Sequence, residues 1–241
     1  MKVAILQSNY LPWKGYFDLI NSVDVFVIYD CAKYTKNDWR NRNIIYSKQG
    51  KQWLTIPISS SSVKLCIDAV RITDSRWQNI HAKTLITSYS RAPQFNQLRE
   101  LINYFLLHRK WDYLTELNTA LIKWINQRIG ITTEIRNARE FSLQQNRIER
   151  LLGILTEIGA KEYLSGPSAS AYLEGQENFF EERGIKLRYK SYGPYLPYKQ
   201  LKEPFESSVS IIDLIANIPW EEIKLHIGFP NTLSARKPVE Q

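Results

Sequence analysis

The sequence predicts an α/β protein: a mainly parallel, Rossmann-like sheet with a helical insertion in the middle of the chain. Three observations carry that expectation. Short continuous apolar runs, VAIL at 3–6 and VFVIY at 25–29, have the character of strands buried on both faces. Strand and helix patterns alternate over the first 30 residues and again after residue 131. Between these stretches, from Asp74 to Arg128, the apolar period is helical throughout.

The elements follow in order. VAIL is a strand, and GYFDLINS at 15–22 is a helix with Phe17 and Ile20 at helical spacing. VFVIYD is a second strand, and a right-handed crossover puts the opening loop and Asp30 at the same carboxyl edge of the sheet. IIYSKQGKQWLTIPI reads as a hairpin reversing near Gly50, SSSS at 59–62 as a loop, and the alternating IDAVRI at 67–72 as a half-exposed strand. Three helices follow: RWQNIHAKTLITSYS, QFNQLRELINYFLLHR, and WDYLTELNTALIKWINQRIG, which Gly130 closes. The later rhythm is ITTEI as strand, NRIERLLGILTEIG as helix, EYLS as strand, AYLEGQENFFEERG as helix and IKLRYK as strand. This divides the chain into an α/β core of 1–73 and 131–228, a helical insertion of 74–130 and a loosely held tail of 229–241.

Composition narrows the function. The chain is 44% apolar and 12% aromatic, enough for a packed core, with a mean hydropathy of −0.35. Its apolar runs fall far short of the roughly 20 residues of a membrane span, and MKVAILQSNY lacks the apolar region of a secretory signal. Two cysteines, Cys31 and Cys66, fit a reducing cytoplasm, the expected location. The net charge of +8 is concentrated in 33–53, 75–99 and 183–202, the last two without any acid. Such blocks suit a phosphate-bearing partner or form a solvated basic surface.

Four segments hold the candidate chemistry. In ILQSNYLPWKGYF, Gln7 and Asn9 stand at a strand's carboxyl end, Tyr10, Trp13 and Lys14 follow, and Gly15 permits close packing ahead of a helix N-terminus. In YTKNDWRNRN an extended backbone would put Arg40 and Arg42 on one side and Asn41 and Asn43 on the other. Guanidinium forks match phosphate, Asn reads sugar or base edges, and Tyr34 and Trp39 offer stacking faces. His81 shares a helical face with Trp77 and Leu85, as a general base or as a half-buried core histidine. YLSGPSASAYL supplies Ser165, Gly166 and Ser168 between a strand and a helix, as an anion cradle or an ordinary cap. Beyond these, Tyr189, Tyr192, Tyr195 and Tyr198 recur every three residues, the polyproline II period, which would align them as one stripe, either a binding edge or a face packed on the core. HExxH, GxSxG, Walker A and GxGxxG are missing, and no metal centre is expected.

Several of these segments occur together in one family. ILQSNYLPWKGYFDLINSVDVFVIYD, YTKNDWRNRN, QWLTIPI, the pattern from Trp77 to Pro93, KEYLSGPSASAYL, and LPYKQ followed by SIIDLIAN together resemble the WbqC-like family along nearly the whole chain. Gln7, Asn9, Tyr10, Trp13, Gly15, Asp30, Tyr34, Arg42, Asn43, His81, Tyr89 and Gln200 match its pattern. Leu6 and Ser8 stand where many members carry His and Pro.

The resemblance implies work in bacterial O-antigen and other surface-polysaccharide assembly, attaching glycine or another acyl group to an amino sugar. The expected enzyme is therefore an acyl or aminoacyl transferase acting on a nucleotide-linked amino sugar. Asp30 or His81 would take the amine proton, and Tyr198 and Gln200 would join the binding surface. No tightly bound cofactor is expected, and the donor is unidentified, with aminoacyl-tRNA and acyl-CoA as candidates. Two alternatives stand beside it: a nucleotidylyltransferase-like activating enzyme, and an RNA-binding protein that holds an aminoacyl-tRNA.

Overall fold

A computed structural model of the chain describes residues 1–228. Its centre is a parallel sheet built from β1 (Lys2–Leu6), β2 (Val25–Ile28), β5 (Glu134–Asn137), β6 (Glu162–Ser165) and β7 (Lys186–Tyr189), in the spatial order β5-β2-β1-β6-β7. Helices cover both faces, so the fold is the expected α/β type. Counting only the strands of this sheet, the order is 3-2-1-4-5, the doubly wound arrangement that reverses direction between β1 and β6. A crevice forms at that reversal, because the chain leaves the two neighbouring strands toward opposite faces.

Alternation along the strands separates two apolar cores. Val3, Ile5, Val25 and Val27 face one core with Leu151, Leu152 and Leu155 of α5 (Arg147–Ile158) and with Phe180 of α7 (Glu177–Glu181). Ala4, Phe26 and Ile28 face the other, with Phe17 and Ile20 of α1 (Lys14–Asn21). That second core also takes in Ile45 of β3 (Arg42–Ser47), Leu54 of β4 (Gly50–Thr55), Leu85 of α2 (Arg76–Tyr89), Leu98 of α3 (Phe95–Leu101) and Leu121 of α4 (Leu114–Arg128). The hairpin β3–β4 and helices α2 to α4 all lie in the connection from β2 to β5. Ile215 of α8 (Ile211–Asn217) and Ile223 of α9 (Trp220–Ile223) close the same core from the C-terminal side.

Several elements depart from expectation. IDAVRI is not a strand: Ile67–Ala69 forms a 3₁₀ turn in which Val70 N–H donates to Ile67, because its buried residues, Ile67 and Val70, are three apart. The helix expected over 171–184 is split into α6 (Ser170–Leu173) and α7 by Gly175 at φ +77°. The second insertion helix widens into a π-helical turn at Ile102–Leu107. The strand expected at ITTEI begins later, at Glu134. Residues 190–209 form no regular element; of the four tyrosines, Tyr192 and Tyr198 pack against the core and Tyr195 turns inward to Asp18, while Tyr189 stays exposed. The tail of 229–241 lies outside the described residues.

Candidate functional site

The loop between β1 and α1 is held from two sides. The amide of Asn43 donates to the carbonyls of both Tyr10 and Leu11, at 3.0 and 2.8 Å, while Ser210 Oγ donates to Leu11 at 2.7 Å. These bonds fix Leu11 at φ +43°, a left-handed conformation costly for a residue with a Cβ. The loop then turns into α1 beneath the Trp13 ring. A Cβ on Gly15 would overlap that ring, so close packing is what makes this position a glycine. Asn43 has spent its amide on this clamp, and Asn41 is likewise consumed between Tyr34 and Ile56. Most of the hydrogen-bonding capacity of both amides is therefore spent within the protein and not, as the sequence suggested, on a sugar or base edge.

The clamped loop forms one wall of a cleft of ≈ 560 Å³ at the carboxyl ends of β1 and β6, where the strand order reverses. Gln7, Asn9, Trp13, Trp39, Arg40, Ser165, Gly166 and Ser168, all expected in a site, line it together. Arg40 is the organiser. Its guanidinium donates to Asn9 Oδ1, to Gln7 Oε1 at 3.3 Å and to Asp38 Oδ2 at 3.4 Å. Two neutral amides and one carboxylate thus hold a charge that is nine-tenths buried.

A second cation, Arg147, enters from the start of α5, whose first amides are capped by Asn146. Its guanidinium lies 3.5 Å from the Tyr172 ring centroid. Trp13, Trp39 and Asn9 also line an adjoining cavity of ≈ 300 Å³ with Asn43 and Ser208, so the two spaces meet at the tryptophans.

Other expected residues lie elsewhere. Arg42 does not share a side with Arg40, because residues 38–41 turn rather than extend. Its guanidinium donates to Asn37 at 2.7 Å and lies 4.4 Å over Trp53, while Tyr34 is buried beside Asn41. Asp30 is fully buried: it accepts from Ser8 N–H at 2.8 Å, Ser8 Oγ at 2.6 Å and Thr115 Oγ1 at 2.5 Å. Burial pushes its carboxyl above the ordinary range, although these donors oppose the shift. His81 is also interior. Its Nδ1 lies 3.0 Å from the Tyr10 hydroxyl, a backbone hydrogen bond joins it to Thr55, and burial lowers its pKa to about 4.

The remaining predicted residues meet around a second buried carboxylate, Asp213. Tyr89, Tyr198 and Gln200 donate to it at 3.2, 2.7 and 2.7 Å. Lys14 points to this cluster and away from the cleft. Its ammonium stands 5.1 to 5.5 Å from the ring centroids of Tyr195, Tyr198 and Phe205 with no hydrogen-bond partner, and burial lowers its pKa to about 8.

The sequence reading missed Leu6, Tyr16, Asp38, Arg147, Tyr172 and Tyr192 in the cleft and Asp213 in the buried cluster. Arg147 had a signal: it opens a helix that follows a sheet strand, directly after a strong cap residue. Tyr192 had only the three-residue tyrosine spacing, and the tertiary fold alone brings its ring to within 5.2 Å of Trp13.

The opening loop, the basic arm and the β6 loop are the segments whose residue pattern resembled one family, and the family comparison covers them. The WbqC-like protein family matches residues 7–225. The chain belongs to the WbqC-like family. A further relative, the uncharacterized protein Rv1507c of Mycobacterium tuberculosis, is 40% identical over 221 residues, 91% of this chain and 95% of the relative. No solved structure matches the chain. Every cleft residue named above except Leu6 falls inside the WbqC-like span. Among the described residues no helix is long and apolar enough to cross a membrane.

Proposed function

We propose that this WbqC-like chain is a transferase of surface-polysaccharide assembly that attaches an aminoacyl group, such as glycyl, or another acyl group to the amine of a nucleotide-linked amino sugar. One observation carries the reading: the cleft at the strand-order reversal joins a cationic, hydroxyl-bearing end to an indole-lined end. Arg40 and Arg147 suit a diphosphate, Ser165 and Ser168 supply hydroxyls beside them, and the cleft is of a size for a nucleotide-linked sugar.

The reaction forms one carbon–nitrogen bond. The sugar amine attacks the donor's acyl carbonyl, the bond to the donor's oxygen or sulfur breaks, and the nitrogen loses a proton that balances the leaving group. Asp38 is the carboxylate among the lining residues, and we assign it the proton. Trp39 N–H at 2.7 Å and Thr35 Oγ1 at 2.7 Å fix its two oxygens. Asp30 holds the strand end instead, and His81 braces Tyr10.

The test is turnover. The purified chain is incubated with nucleotide-linked amino sugars and either acyl-CoA or aminoacyl-tRNA, and products are read by mass spectrometry. An acylated nucleotide sugar is expected, and Asp38→Asn should lower its rate by about 10²-fold or more while leaving sugar-nucleotide affinity within a few-fold. If no donor yields an acylated product, the transferase reading is wrong; a full rate in the Asp38→Asn variant removes that residue's role.

A further inference from the structure

The structure assigns a nucleobase subsite to the exposed ring of Trp39, which stacks on Trp53, itself in contact with the Arg42 guanidinium. It deepens the preceding reading, whose ligand it shares, by naming the part of that ligand the indole end receives. Trp39 and Trp53 stack with centroids 5.5 Å apart and planes inclined by 24°. The Arg42 guanidinium lies over the Trp53 ring, 4.4 Å from its centroid. Trp39 borders both cavities.

Two features separate this from accidental surface aromatics. Trp39 is 42% exposed and Trp53 46%, so two indoles on neighbouring segments leave apolar area in water where burial would have stabilised the fold. The backbone that carries Trp39 is also held before any ligand arrives. The Trp39 backbone N–H donates to Asp38 at 2.7 Å, its carbonyl accepts from Tyr10 N–H at 3.0 Å, and the Arg42 guanidinium is tied to the Asn37 carbonyl at 2.7 Å. A stacking face held in place spares a ligand the ordering cost of its partner.

The occupant follows from what adjoins Trp39. The indole-lined cavity of ≈ 300 Å³ accommodates one planar ring system, and it runs into the cleft that holds Arg40 and Arg147. A flat π ring joined to a diphosphate is the base and pyrophosphate of a nucleotide. Nucleotide sugars and coenzyme A both contain that unit, so either source fits the subsite.

Calorimetric titration of the full chain decides the matter, using UDP, dTDP, CDP, ADP, GDP, coenzyme A and inorganic pyrophosphate against wild type, Trp39→Ala, Trp39→Phe and Trp53→Ala. At least one base-bearing diphosphate should bind more tightly than pyrophosphate. Trp39→Ala should weaken that ligand roughly 5- to 150-fold and pyrophosphate hardly at all. Trp39→Phe should retain most of the affinity, and Trp53→Ala should lose less than Trp39→Ala.

Preference for the nucleoside diphosphates assigns the base to the sugar carrier, and preference for coenzyme A assigns it to the acyl donor; each supports the subsite. Pyrophosphate binding as tightly as every base-bearing ligand overturns it, as does wild-type nucleotide affinity in a Trp39→Ala variant with an unchanged melting temperature. These results stand apart from the transferase assay, since a base-dependent affinity can persist where no acyl product forms.

Discussion

Single side chains near the cleft divide into groups that can reach a ligand and groups that hold those groups in place. His81 belongs to the second kind, and its pH behaviour tests that. The folded chain keeps its pKa near 4 against an ordinary value of 6.5, so the unfolded state binds the extra proton between those limits. The stability His81 contributes is complete above pH 6.5 and is lost as pH falls toward 4. By pH 5 the loss is about 2 kcal/mol. Asp30 and Asp213, raised by burial, act in the opposite sense and favour the folded chain more as pH falls. Urea unfolding at pH 7 and pH 5 should therefore show a pH-dependent loss in wild type that His81→Asn reduces by about 2 kcal/mol. Equal losses in both would mean that His81 is not held neutral. A free general base near neutrality would show the reverse, a rate that follows its own titration.

At the scale of elements, the α1 start shows how packing overrides local preference. Alanine in place of a helical glycine ordinarily stabilises by up to about 1 kcal/mol. Gly15 lies in the first turn of α1, yet the Trp13 ring occupies the space a methyl group would need. Gly15→Ala should consequently destabilise the chain, by about 1–3 kcal/mol, and displace the indole that joins the two cavities. Thermal melts and the tryptophan emission spectrum of the variant measure both effects. A higher melting temperature than wild type would show that the ring moves aside freely. The β1–α1 loop was legible in outline because Gln, Asn, Pro, Trp and Gly crowd a strand's exit. The clamp on that loop was not, since Asn43 and Ser210 reach it from positions 32 and 199 residues away from Leu11.

For the whole molecule, the +8 charge acts through where it is left uncompensated. Several of the basic residues are paired: Lys51 with Glu206, Arg76 with Asp74, Arg183 with Glu149 and Lys190 with Asp18. Arg40 and Arg147 converge on the cleft, where Asp38, 3.4 Å from Arg40, offsets one of the two charges and leaves one in excess. Raising sodium chloride from 50 to 500 mM should then weaken a nucleoside diphosphate several-fold and leave the uncharged nucleoside nearly unaffected, because the Debye length shrinks from above about 10 Å to a few ångströms. Parallel titrations with UDP and uridine give the comparison. Identical salt responses would remove the arginines as the diphosphate's partners.

The sequence by itself determined the α/β class, the hairpin and the segments from which the cleft is made, because apolar periodicity and turn chemistry are local properties of the chain. It also placed Arg40, Trp13, Trp39 and the Ser165–Ser168 turn among the binding candidates, because residue type alone limits what each can contact. Tertiary structure alone decided which candidates share a space. Asp30 and His81 are polar residues at plausible positions, but α4 and β4 cover them, and burial is a property of neighbours distant in sequence. Arg40 and Arg42 differ by two positions, yet one turn sends the first into the cleft and the second onto Trp53. The order of strands, which places the crevice between β1 and β6, depends on pairings 160 residues apart, and no local pattern specifies those.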